Sequence, residues 1–125
     1  MKSIHLIISS IVVVPIALVY GTGSDTLFPI LFDFKADTTD LHNIFRAIMC
    51  LYIGMVIIWV VGIFKARFWE VATISNIVFM GSLAIGRLIS FMIDGIGSPI
   101  LIIGFCVEIL LAITSYYNWR KYAPK

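Results

Sequence analysis

Residues 71–95 read VATISNIVFMGSLAIGRLISFMIDG, and the first twenty-three of them carry a single charge after the leading valine, Arg87. Such a run matches the roughly 20 mostly apolar residues that a bilayer-crossing helix needs. It stops at Asp94-Gly95, and glycine is the common residue just past a helix end. Working outward, three more runs have the same character: about 4–20, 43–64 and 99–117. The whole chain of 125 residues is 61% hydrophobic and 13% charged. Soluble domains carry about 45–50% apolar and roughly 25% charged residues. The reading is therefore an all-α, integral membrane four-helix bundle, one transmembrane domain over residues 1–125.

The connections are consistent with that count. Residues 21–42 form the one long link, opening on the turn-rich string Gly21-Thr22-Gly23-Ser24-Asp25. Leu27–Phe34 is apolar and aromatic but too short to span, so it is placed at the headgroup level. Asp37, Thr38, Thr39 and Asp40 offer a cap and favourable acidic charge to the second span. Ser98-Pro99 sets up the fourth, with serine as N-cap and proline at the first helical position. Trp59 and Trp69 read as interfacial belt residues around the Lys65-Ala66-Arg67 turn. Glu70 complements the dipole at the start of the third span.

With four spans, Lys2, Lys65, Arg67, Arg120, Lys121 and Lys125 fall on one side. Lys35 is the only lysine or arginine in the connections on the other, among Asp25, Asp33, Asp37, Asp40 and Asp94. The bias of lysine and arginine toward the cytoplasm then places both termini there. The expected location is the cell inner (plasma) membrane, multi-pass. The first span also has the form of a signal peptide, with Val19-Tyr20-Gly21 as a passable cleavage site, so retention and cleavage both stand open.

Charges inside a span cost roughly 2.5–3.5 kcal/mol each at the helix centre on insertion scales. Arg46, Arg87 and Glu108 are kept there nevertheless, with Asp94 at the outer edge. Arg87 lies about 10 Å below Asp94 and Glu108 about 13 Å inward of Pro99 at ~1.5 Å per residue. Helical spacing puts Asn76, Met80, Leu83, Arg87, Ser90 and Asp94 on one stripe. Asn43, Arg46 and Cys50 form a second, and Gly104, Glu108, Ala112 and Ser115 a third. The small residues beside Glu108 allow close backbone approach. The stripes are expected to converge on the bundle interior. The candidate ligand-binding or structural ion-pair network is thus Asn43, Arg46, Arg87, Ser90, Asp94 and Glu108.

Two readings of that network stand side by side: a lock that fixes helix register, or a functional polar pocket open outward. Asn76, deeper toward the cytoplasm, reads as an interhelical hydrogen-bonding group. His42 reads as an exposed helix-start residue able to titrate near neutral pH. His5 lies at the opposite face, so the two histidines cannot share a metal or haem. Cys50 and Cys106 read as small packing residues. No CxxC, HExxH, Walker loop or nucleophile elbow is present. No catalytic residue, metal or cofactor is expected, and an enzyme using Asp94 or Glu108 as acid or base ranks last.

One further pattern is specific. Asn43-x-x-Arg46, then Gly86-Arg87-x-x-Ser90-x-x-x-Asp94-Gly95, then Pro99 and Glu108, resembles the bacterial membrane family catalogued as domain of unknown function 4345. The resemblance runs from the first span to the fourth. It implies a four-helix inner-membrane protein, distantly similar to DoxX-like proteins, and it implies no activity. DoxX-like relatives include subunits tied to quinone-linked sulfur oxidation, a fold-level analogy only.

The leading expectation is a non-catalytic membrane protein whose interior polar site takes an amphipathic ligand, lipid-like or quinone-like, or supports a partner membrane protein or a homo-oligomer. The alternative is a proton-linked transporter or channel subunit using Glu108 and Arg87. No partner beyond the lipid bilayer and these is expected, and no nucleic acid.

Overall fold

The computed structural model describes residues 1–125 and is helical without any strand. Four long helices, α1 (Ile4–Thr22), α3 (Thr39–Phe64), α4 (Trp69–Ile93) and α5 (Pro99–Tyr122), are each long and apolar enough to cross a membrane. A single-turn helix, α2 (Phe28–Leu31), lies in the long connection, and a 3₁₀ turn at Ala66–Phe68 joins α3 to α4.

The four spans fall where the sequence puts them, with longer ends. The second begins at Thr39 rather than Asn43, because Thr38 caps it: its hydroxyl accepts from the Leu41 N–H at 3.2 Å. The fourth runs on to Tyr122. Its N-cap is Ser98, but the serine side chain makes no capping bond; the Ser98 carbonyl accepts from the Leu101 N–H instead. At the end of α4, Gly95 takes φ +90, the left-handed conformation that other residues rarely adopt.

Packing is uneven around the bundle. α1 lies along α3 and α4 along α5, and these two pairs are joined chiefly through the α3–α4 hairpin. Tight crossings rest on missing side chains. A Cβ on Gly21 would overlap the Met49 side chain, and one on Gly62 would overlap the Ala72 methyl. The contiguous core includes Leu6, Val13, Tyr52, Val56, Trp59, Trp69, Met80 and Leu111.

Four placements differ from the sequence reading. Trp59 and Trp69 are buried rather than in a belt. Their indoles are satisfied inside, by the Ser75 hydroxyl at 3.1 Å and the Lys2 carbonyl at 3.3 Å, as a buried indole requires. Cys50 and Cys106 are exposed on the outside of the bundle rather than buried in its packing. The octet 27–34 is not simply interfacial: Phe28 is fully buried at the centre of an aromatic cap. Its ring lies 4.8 Å from Phe45, 5.2 Å from Phe32 and 5.4 Å from Phe34, centroid to centroid. His42 pins that cap, its Nε2 lying 2.8 Å from Asp25 Oδ1 and 2.9 Å from the Ala36 carbonyl. It is therefore a half-buried tether, not an exposed helix-start residue.

Candidate functional site: an ion pair beside an apolar cleft

Of the six residues that the sequence nominates, the structure brings two together from different helices. The Arg87 Nε donates to Glu108 Oε2 at 2.8 Å and Nη2 donates to Oε1 at 2.9 Å. This is a two-pronged guanidinium–carboxylate pair, the geometry that gives such pairs both strength and direction. α4 supplies Arg87 one turn above Leu83, and α5 supplies Glu108 one turn below Gly104. The guanidinium lies across the Gly104 backbone, so that a Cβ there would meet it at 3.5 Å. That is an ordinary contact distance, so the side chain rests on Gly104 without requiring a glycine there. Glu108 is 8% exposed, so leaving it without its arginine would strand a carboxylate in a low-dielectric interior.

The other four nominees do not join the pair. Ser90 donates to the C-cap residue Asp94 at 3.0 Å, and both are exposed at the end of α4. Asn43 and Arg46 point away from the bundle, exposed on the first two turns of α3. The expected convergence of three polar stripes therefore holds for α4 and α5 and fails for α3. The reason is a competing pattern. Tyr52, Val56 and Trp59 are the buried residues along α3, and this apolar and aromatic stripe wins the interior. Arg46 has an inexpensive alternative, because a 26-residue helix is about 39 Å long against ~30 Å of hydrocarbon. Near the first end of α3 its long side chain can reach the headgroups.

The pair borders a cleft of about 280 Å³ between α1 and α5, in the half of the bundle nearer the α4–α5 link, and fifteen of the nineteen lining residues are hydrophobic. Val12, Pro15 and Val19 line it from α1, Val107 and Leu111 from α5. Pro15 breaks the backbone ladder of α1 at this wall, which membrane helices tolerate. Tyr20 and Tyr52 add two phenols, with ring centroids 5.6 Å apart.

A second polar constellation lies at the opposite end of the bundle. His5 Nε2 is 3.0 Å from the Thr73 hydroxyl and His5 Nδ1 is 2.9 Å from Asn118 Nδ2. One turn further in, Ser9 and Ser115 both donate to Asn76 Oδ1, at 3.3 and 2.7 Å. Each of α1, α4 and α5 thus contributes one residue to each of two stacked layers. Thr73 spends its own proton on the Trp69 carbonyl at 2.8 Å. It must therefore accept from His5, which fixes the imidazole as the neutral Nε2–H tautomer, with Nδ1 accepting from Asn118. The bonding role expected of Asn76 is present. His5, Ser9, Thr73 and Asn118 were not singled out for it. Their signal is there, as pairs at helical spacing near one end of three spans: His5 with Ser9, Thr73 with Asn76, Ser115 with Asn118. Between the two constellations Met80 and Leu111 are buried and apolar. No cluster of three or more metal-ligating side chains is assembled.

Membrane-length apolar helices around an interior ion pair define a multi-pass membrane protein. A family model described as Domain of unknown function (DUF4345) matches residues 1–118, and the chain belongs to that family. No curated protein and no solved structure matches.

Proposed function

We propose that the protein holds an amphipathic molecule in the cleft beside Arg87 and Glu108, with both termini in the cytoplasm and the cleft in the outer half of a bacterial inner membrane. The orientation rests on lysine and arginine bias. Lys2, Lys65, Arg67, Arg120 and Lys121 gather at the end where His5 meets Asn118. Because α1 supplies His5, Ser9 and one wall of the cleft, the reading also takes the first helix as retained.

The observation that carries the binding role is the ion pair set against an otherwise hydrophobic wall. Few polar groups in an apolar concavity is the common make-up of a small-molecule site. Native mass spectrometry of the full chain released from detergent tests it. The wild type is expected to retain a bound amphipathic mass that the Arg87→Met/Glu108→Met double variant lacks. Equal retention by both, or none by either, removes the reading.

Support of a partner membrane protein through the same site is the second form of the proposal, and co-purification with each variant separates it. A proton-linked transporter or channel subunit would need a polar passage past Met80 and Leu111. Those buried residues weigh against that alternative.

A further inference from the structure

We propose that the occupant of this cleft is a single hydrocarbon or isoprenoid chain ending in an uncharged oxygen head, an alcohol or a carbonyl. This rests on the binding role above and narrows it to a chemical class.

Size comes first. The cleft of about 280 Å³ lies at the small end of the ~300–1,000 Å³ usual for small-molecule sites. A single chain suits it better than a bulky multi-chain ligand.

Charge comes second. Arg87 and Glu108 are the charged side chains on the lining, and they already neutralise one another. An anionic head would gain from Arg87 what it loses to Glu108, and a cationic head the reverse. Either would still give up its hydration on entering an apolar site. An uncharged head avoids that cost.

Hydrogen bonding comes third. An arginine has five N–H donors, and Glu108 occupies one on Nε and one on Nη2. The Tyr20 phenol also faces the guanidinium, but one hydroxyl cannot take all three remaining donors, and unlike Asn76 Nδ2 none of them is sealed in without a partner. An oxygen acceptor placed there completes the guanidinium. A hydroxyl head could in turn donate to a free lone pair of the Glu108 carboxylate.

A way in exists as well. A second cavity, of about 610 Å³, opens under the aromatic cap, between Phe32, Phe34 and Phe45 and the Ile96–Ser98 link. It shares Tyr20, Phe32 and Leu101 with the cleft. The two spaces therefore adjoin at those residues, which sets a route along aromatic walls as the expected path to the ion pair.

Three probes with one chain and different heads decide it: oleyl alcohol, oleate and oleylamine, each titrated into the full-length protein in micelles while the unfolding midpoint is followed. Oleyl alcohol is expected to raise the midpoint to saturation, with both charged probes at least about tenfold weaker. Val107→Phe narrows the cleft without touching the ion pair, and it is expected to abolish the effect of the alcohol. Oleate or oleylamine binding as tightly as the alcohol overturns the uncharged-head assignment while leaving the cleft as a binding site. No response to any probe, with Val107→Phe behaving as wild type, overturns the binding role itself.

Discussion

The two ends of this bundle solve the same problem in opposite ways. At the end that carries the termini, six uncharged side chains from three helices interlock in two layers, buried or nearly so. At the other, one pair of full charges stands beside a gap between α1 and α5. Uncharged groups can be packed tightly in a membrane interior because leaving one donor unpaired, as Asn76 Nδ2 is here, costs far less than stranding a charge. A buried ion pair is a different kind of commitment. It is costly to assemble and more costly to break, so placing it next to open space keeps both a cost and an opportunity. The closed end reads as architecture and the open end as the site.

The comparison can be broken most directly at the ion pair. Arg87→Met or Glu108→Met alone is expected to destabilise the protein by about 3–5 kcal/mol, since each strands a buried charge. The double variant is expected to lose less than either single one. Reversible unfolding in mixed micelles, read as a double-mutant cycle, measures this. Additive losses would mean that the two charges do not depend on each other, and the site would dissolve.

The closed end should respond more gently. Asn76→Leu removes the shared acceptor of Ser9 and Ser115. Hydrogen bonds between membrane helices average about 0.6 kcal/mol, and both hydroxyls can turn to carbonyls on their own helices. The expected loss is about 1 kcal/mol, measured in the same unfolding assay. A loss as large as that of a single charge variant would erase the distinction drawn between the ends.

Filling the open end should cost less again. Overpacking a dense core costs about 1–3 kcal/mol, but Val107 faces a cavity. Val107→Phe should therefore stay under about 1 kcal/mol, and a larger penalty would show that the cleft is closed in solution. The smallest effects are expected at the outer rim. Arg46→Gln and Asp94→Asn touch exposed groups and should lie within about 0.5 kcal/mol of wild type. A loss above that at Arg46 would place it back inside the network from which the geometry removes it.

Much of this was legible in the residues. The apolar runs located four spans because length and hydrophobicity alone decide what a bilayer admits. The stripe through Asn76, Met80 and Arg87 was legible because one helix at a time is a local object with a fixed period. Arg46 was misread for a related reason. A polar stripe and an apolar stripe on the same helix compete for the interior, and only the neighbours determine which prevails. The interfacial octet was misread because nothing local announced that Phe28 would be covered by Phe32, Phe34 and Phe45.

By itself, then, the sequence determined a helical membrane chain, its approximate helix limits, and the presence of an arginine and a glutamate at matching depth. Only the tertiary structure decided that these two meet, that His5 closes the far end with Asn118, and that a gap is left where α1 faces α5. The physical reason is the range of the forces involved. Insertion and helix formation are settled by each segment against lipid, whereas pairing and cavities are settled by how four segments share one interior.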